Sequence, residues 1–319
     1  RINGVQQVAE ATITAQPQGP RATFVSVVHR NAELGVELDG EVDWSDLPTI
    51  KLRGDRLAVQ AGTLLAESPE GEAFTVKTRS GSVQLDRLML HAGETRLTAQ
   101  GRFDPAGPVA GQVRLTGIDL APTAILADVL PLLPEGPRTR IESLDLSGDL
   151  QEVFGRIDGT LEDPELELRI VGRDLVVLGR PPMTLDATAT LDADGLRSDV
   201  NLDTLVSLAV RQLPAQLSFG KGRQLLTLAP DGEWDVELVL PDTTLARVAK
   251  LAQRELPESV TNGKYSGGLT WVGTTARPDV RFAVSVTDVT VEGRARGLQD
   301  AVKRAVNAKV GATILDGQL

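Results

Sequence analysis

The sequence predicts a mainly β protein made of antiparallel strands, and three observations support this prediction. Apolar and charged residues alternate with a period of two after Pro164, as in a strand with one apolar and one polar face. Pairs of residues that favour tight turns separate such stretches. The alternating pattern also returns along the chain with a period of about 115 residues. We therefore expect one elongated segment of β-repeats in which each unit contacts its neighbours.

Three copies of one alternating stretch define the repeat. They begin at Pro48, Pro164 and Pro278, which lie 116 and 114 residues apart. A proline cannot donate a hydrogen bond to a central ladder, so each should start its strand. A weaker echo surrounds Pro105, half a period after Pro48. The recurring apolar residues are Ile50, Leu52, Leu57 and Val59 in the first copy, Leu166, Leu168, Ile170, Leu175 and Val177 in the second, and Val280, Phe282, Val284, Val289 and Val291 in the third.

A short amphipathic helix recurs with nearly the same period. Thr123 and Thr243 each follow a proline closely and precede apolar residues at helical spacing, so we expect both threonines to cap a helix. The approximate repeat units are then 1–118, 119–238 and an incomplete 239–319. The helical apolar residues are Leu126, Val129, Leu130 and Leu133 in the first helix, and Leu245, Val248, Ala249 and Ala252 in the second.

The predicted turns contain glycines, which tolerate the positive φ of tight hairpins. Strands that follow one another with almost no intervening helices exclude a doubly wound α/β fold. Strand and helix patterns compete over residues 203–213 and 297–310. The turn pairs are Asp39-Gly40, Glu70-Gly71, Asp194-Gly195, Asp231-Gly232 and Asp316-Gly317.

The amino-acid composition limits the kinds of core, partner and metal site that this protein can have. Aromatic residues make up 3% of the 319 residues, so aliphatic side chains must form most of any core. The formal net charge of −11 argues against nucleic acid as a partner. The absence of cysteine excludes disulfides and thiolate metal sites.

Catalytic and metal-binding patterns are weak, and we expect neither an enzyme nor a cofactor. The two histidines, His29 and His91, lie in separate predicted strands without a ligand pattern around them. Residues 191–196 contain half of a calcium loop but lack its other ligands, so we interpret them as an Asp-Gly turn. Residues 219–224 are interpreted as a hairpin tip rather than a phosphate-binding loop.

The ends of the sequence predict a segment of a longer protein. The sequence begins at Arg1 without a methionine or a leader, and it stops within a strand-like pattern. No run of residues approaches the roughly 18 apolar residues of a membrane span.

Two motifs resemble the AsmA-like/TamB family. Residues 159–168 show G-x-L-x-D-P-x-L-x-L, and residues 115–122 show L-x-G-x-D-L-A-P before the first predicted helix. The resemblance implies a long β-sheet curled into a taco or U-shaped groove, in a protein anchored in the inner membrane and extending through the periplasm. It also implies phospholipid transport between the inner and outer membranes, or support of outer-membrane protein assembly. The family's N-terminal anchor helix and a C-terminal module for an outer-membrane partner are not recognisable in this sequence.

The apolar face of such a sheet must be covered, because exposing one large aliphatic side chain costs roughly 1.5–3 kcal/mol. A second sheet would give a β-sandwich, whereas phospholipid acyl chains would lie in an aliphatic groove. The groove hypothesis makes the recurring apolar residues of the three copies the lipid contacts. Two other functions stay open: a scaffold that offers sheet edges to outer-membrane β-barrels, and a secreted adhesin or structural β-repeat.

Overall fold

The computed structural model describes residues 10–31, 34–121, 135–217, 226–229, 231–251, 254–256, 260–274, 277–293 and 302–314. These residues form antiparallel strands and two short helices, which confirms the predicted mainly β, antiparallel fold. The chain divides into two compact units, Arg1–Leu168 (unit 1) and Arg169–Leu319 (unit 2). The smaller predicted repeat units stay a prediction.

Unit 1 is an antiparallel sheet in which strands mostly pair with the next strand in sequence. The fourth strand pairs with both the fifth and the sixth, and these two pair with the seventh. A polar helix, α1 (Glu135–Ser143), follows the ninth strand and was not predicted from the sequence. The strands are β1 (Glu10–Gln18), β2 (Arg21–Asn31), β3 (Leu34–Asp46), β4 (Thr49–Ala61), β5 (Leu64–Glu67), β6 (Phe74–Arg79), β7 (Ser82–Ala92), β8 (Thr95–Phe103), β9 (Val109–Asp119) and β10 (Ser147–Gly159).

Strand β11 (Pro164–Val176) crosses the boundary between the units, and unit 2 continues the antiparallel pattern. In unit 2 the pairing runs from β12 through β13, β14, β17, β18 and β19 to β20, while β15 and β16 form a separate two-stranded sheet. Its elements are β12 (Met183–Asp192), β13 (Gly195–Leu202), β14 (Val206–Leu213), β15 (Ala215–Leu217), β16 (Leu226–Leu228), β17 (Trp234–Thr244), α2 (Leu245–Leu251), β18 (Val260–Gly273), β19 (Pro278–Gly293) and β20 (Val302–Ile314).

Two of the three predicted copies share features of the backbone. Pro164 and Pro278 begin β11 and β19 as predicted, whereas β4 begins at Thr49, directly after Pro48. Asp174 and Asp288, which lie 114 residues apart, both have a left-handed backbone, with φ of 50° and 55°. Asp and Asn adopt this conformation more readily than most residues. The second and third copies therefore share an irregularity as well as a sequence pattern.

Single-residue bulges keep the apolar residues of long strands on one face. In β4, Arg56 pairs with Asp39 and Gly54 pairs with Gly40, so Asp55 is an extra residue in the ladder. In a regular strand Leu57, five residues after Leu52, would point to the opposite face, because the side-chain period is two; the bulge at Asp55 brings both side chains to one face. In β19 the partners shift by one residue between Val286 and Val289 in the same way.

Most predicted turns are confirmed, and one is wrong. Glu70-Gly71 and Asp231-Gly232 lie in turns between strands, and Asp194 lies in the turn that Gly195 closes as the first residue of β13. Asp39-Gly40 instead lies inside β3, where Gly40 faces the β4 bulge and a Cβ would overlap the carbonyl of Arg53. That close backbone approach, rather than a turn, accounts for the glycine. Asp316-Gly317 and residues 219–224 lie outside the described residues.

The helix predictions are corrected in one detail. Helix α2 begins at Leu245, and the Arg247 backbone N–H donates to the Thr244 hydroxyl oxygen at 3.2 Å. Thr244 is therefore the cap, while Thr243 still pairs with Tyr265 in the sheet. Leu245, Val248 and Ala249 are half-buried. Thr123 with the first predicted helix, and Ala252, lie outside the described residues.

The two ambiguous stretches contain strands. Residues 206–213 form β14, and residues 302–310 belong to β20, while residues 297–301 lie outside the described part of the chain. Among the described residues, no helix is long and apolar enough to cross a membrane.

Candidate functional site

Each unit has one apolar and one polar sheet face. Residues directly opposite each other in an antiparallel pair share a face, and Leu52 lies opposite Val42 on one side and Val76 on the other. Following such pairs from β3 to β10 defines the apolar face of unit 1. It consists of Val36, Leu38, Val42, Ile50, Leu52, Leu57, Val59, Leu64, Ala66, Phe74, Val76, Val83, Leu85, Leu88, Leu90, Leu97, Ala99, Phe103, Val109, Val113, Leu115, Val153 and Ile157.

The opposite face of unit 1 carries ion pairs between neighbouring strands. Examples are Arg56 with Glu67 at 2.8 Å and Lys77 with Asp86 at 3.1 Å. The side chains in both pairs are more than a third exposed, so each pair contributes little to stability. Their arrangement nevertheless identifies this face as the one that water solvates.

The apolar face of unit 1 is partly exposed. Ile50, Phe103 and Val113 are 41%, 41% and 42% exposed. Apart from the main ladder, the described chain forms only the small β15–β16 sheet, which belongs to unit 2. Phe74 is an exception at 7% exposure, because its ring lies over Gly54 in the neighbouring strand.

A groove of about 660 Å³ lies on this apolar face, over β7 to β11. Three glycines form its floor: Gly101 pairs with Gly111, and Gly155 pairs with Val113 on the next strand. A Cβ at Gly155 would meet no atom within 4 Å, so the space above it is open. The surrounding apolar side chains are Val83, Leu85, Ala99, Phe103, Val109, Val113, Ile157, Leu166 and Leu168.

The structure separates the predicted contact residues into four groups. Leu166 and Leu168 line the groove, and Ile50, Leu52, Leu57 and Val59 share the apolar face of unit 1 but lie outside the groove. Val280, Phe282, Val284 and Val289 share the apolar face of unit 2. Ile170 is half-buried and Leu175 buried in β11, Val177 follows that strand, and the side chain of Val291 lies outside the described residues.

Most of the groove lining was missed by sequence reasoning. Phe103, Val109 and Val113 belong to the weak half-period echo around Pro105, which was the available signal. The glycine floor had no such signal, because a glycine in a strand pattern indicates a bulge as readily as a ligand groove.

Unit 2 builds the same kind of apolar face. Trp271 lies opposite Val236 and Val280, and Leu269 lies opposite Leu238 and Phe282. The rest of this face consists of Leu185, Ala187, Leu191, Leu196, Val200, Leu202, Val206, Leu208, Val210, Trp234, Leu240, Val284, Val286 and Val289. Ion pairs such as Arg211 with Glu237, at 2.6 Å, again lie on the opposite face.

Helix α2 lies against β17 and β18 in unit 2. A Cβ at Gly263 would overlap the Leu245 side chain and would lie 3.3 Å from the Val289 Cγ2 atom, so this glycine makes room for the helix. The Arg247 guanidinium donates to the Thr204 hydroxyl at 2.9 Å and forms an ion pair with Asp203. These bonds join the helix to the turn after β13.

The described residues contain no group of three or more His, Cys, Asp or Glu side chains that could hold a metal ion. His91 lies in β7, and the His29 side chain is outside the described part. In the 191–196 stretch, the Asp194 backbone N–H donates to the Asp192 carboxylate at 2.9 Å, as in a tight turn.

No protein-family model, curated protein or solved structure matches this chain.

Proposed function

We propose that this chain holds phospholipid acyl chains on its apolar faces, as a periplasmic segment of an AsmA-like/TamB-like protein that carries phospholipid between the inner and outer membranes. The observation that carries the proposal is the apolar face of unit 1, whose side chains stay partly exposed and surround a groove. The motifs that resemble this family lie in the same unit and support the same function.

Hydrophobic contact supplies the binding free energy in this proposal. Each methylene buried in the groove contributes about 0.8 kcal/mol, and a long acyl chain fits the surface without specific polar contacts. The groove floor consists of glycines and its walls are mostly aliphatic. We therefore expect selection for acyl chains and little discrimination between headgroups.

The direct test is organic extraction of the purified protein followed by mass spectrometry. Phospholipid should copurify with the wild type. Leu168→Arg places a charge in the groove and should remove lipid bound to unit 1, whereas Glu165→Arg, three residues earlier on the same strand and not part of the groove lining, should not. Phe282→Arg and its neighbour Ala283→Arg form the matched pair in unit 2.

Tryptophan quenching by phospholipids with brominated acyl chains gives a second readout. Trp44 lies in unit 1, and Trp234 and Trp271 lie in unit 2, so Trp→Phe variants allow each unit to be followed alone. Brominated acyl chains should quench the emission of Trp44 in unit 1 and of Trp234 and Trp271 in unit 2. An absence of extractable lipid together with unquenched emission would refute the proposal, and crosslinks to nascent barrels in that case would favour the scaffold function.

A further inference from the structure

Two tryptophans stack on the apolar face of unit 2. Their ring centroids lie 4.9 Å apart, and the ring planes differ by 18°. Trp271 pairs with Val236 and Val280 across the sheet, and Trp234 pairs with Gly273. None of these neighbouring side chains carries a hydrogen-bond acceptor.

The indole nitrogens of both tryptophans are buried and have no hydrogen-bond acceptor from the described residues. Within the described part of the chain, they are the two buried side-chain nitrogen or oxygen atoms in this condition. Buried polar groups are nearly always paired in folded proteins, and one that is not calls for an explanation. These two adjacent donors lie on a surface that we propose binds lipid. A bound lipid could supply the acceptors that both donors lack.

We propose that the Trp234–Trp271 pair recognises the ester carbonyl oxygens of a diacyl phospholipid, an inference that rests on the proposed function. The acyl chains lie along the apolar face, and the carbonyl at the head of each chain accepts a hydrogen bond from one indole N–H. The pair offers two donors, and a diacyl lipid carries two ester carbonyls. An ether-linked lipid with the same chains lacks these carbonyls, so the pair selects ester-linked lipids.

Binding in this way requires a change in the stack. Both nitrogens are covered in this structure, so both indoles must move before each N–H can reach a carbonyl. The emission of these two tryptophans should therefore change when an ester-linked lipid binds, and change less with its ether-linked analogue.

The first experiment uses the full chain with Trp44→Phe, in which Trp234 and Trp271 are the remaining tryptophans. The protein is titrated with diacyl and with dialkyl-ether phosphatidylcholine of the same chain length, and tryptophan emission is recorded. Two hydrogen bonds gained in apolar surroundings should give the diacyl lipid about tenfold higher apparent affinity. Superimposable titrations for the two lipids would overturn the inference.

The second experiment removes the donors while keeping the aromatic surface. In Trp234→Phe/Trp271→Phe, bound lipid from an equimolar ester and ether mixture is quantified by mass spectrometry. The ester enrichment shown by the wild type should disappear, and Trp44→Phe alone should keep it. Enrichment that persists in the double variant would overturn the inference and leave the proposed function standing. Failure of both lipids to bind any variant would instead refute the proposed function.

Discussion

Units 1 and 2 are both antiparallel sheets with one apolar and one polar face, but different residue types shape the apolar face in each. In unit 1 three neighbouring glycines lower the surface and leave a groove, whereas in unit 2 two indoles stack on the surface and helix α2 lies beside it. The repeat determines which residues face the apolar side. Individual glycines and aromatic residues then determine the depth and the hydrogen-bonding chemistry of that side. Unit 1 thus carries a groove on its apolar face, and unit 2 carries two buried indole N–H groups on its own.

The largest expected effect tests whether unit 1 has a core despite its exposed face. Phe74→Ala should destabilise it by about 3–5 kcal/mol, because the ring is buried over Gly54. Phe103→Ala is the matched control, since Phe103 lies on the same face but is 41% exposed, and it should cost less than half as much. Urea denaturation followed by Trp44 emission, with phenylalanine at positions 234 and 271, measures both. Equal losses would mean that the two rings are equally buried.

The next effect distinguishes the glycines of the groove floor. Gly101→Leu should cost about 1–3 kcal/mol, because its Cβ would lie 2.9 Å from the Ala110 carbonyl oxygen. Gly155→Leu should leave the stability nearly unchanged and should fill the groove, since its Cβ meets open space. Urea denaturation measures the loss of stability in Gly101→Leu. Quenching of Trp44 and the amount of lipid extracted per protein measure lipid binding in Gly155→Leu. Undiminished lipid in unit 1 of Gly155→Leu would show that lipid does not use this groove.

A smaller effect concerns the helix that distinguishes unit 2. Arg247→Ala removes the bonds to Asp203 and Thr204, which are partly exposed and together contribute about 0.5–1 kcal/mol. Amide hydrogen exchange of α2 should accelerate several-fold while β17 stays protected. Lys250→Ala, on the same helix, serves as the control and should change exchange little. Unaltered exchange in Arg247→Ala would show that packing by Leu245 alone holds the helix.

The smallest effect concerns the polar face of unit 1. The Ser45 hydroxyl and backbone N–H donate to the Asp43 carboxylate at 2.6 and 2.9 Å, and they hold its pKa below the usual 3.8. A carboxylate whose pKa is lowered by folding stabilises the protein above its unfolded pKa and loses that contribution as pH falls through the lowered value. Ser45→Ala should raise the Asp43 pKa towards 3.8, which an NMR titration of the carboxyl carbon measures.

The sequence predicted the fold and the sidedness of the strands well, because both depend on local patterns. Alternation identified Leu52 and Phe282 as apolar-face residues, and two of the three prolines begin strands. Features that depend on which strands pair were missed. Gly40 was mistaken for a turn residue because only the paired strand shows the close approach of Arg53. The groove floor needs three glycines from three different strands to coincide, which no single stretch of sequence reveals.

The bulges have a consequence for how such a chain can evolve. A residue inserted into a strand ordinarily turns every later side chain to the wrong face and ruins the sheet. Asp55 in β4, and the shift beside Asp288 in β19, show that an extra residue can be absorbed locally while the apolar residues on both sides keep their orientation. Copies of the repeat can therefore differ in length by one residue and still align their apolar residues, so duplication followed by small insertions can lengthen the protein without loss of its surface.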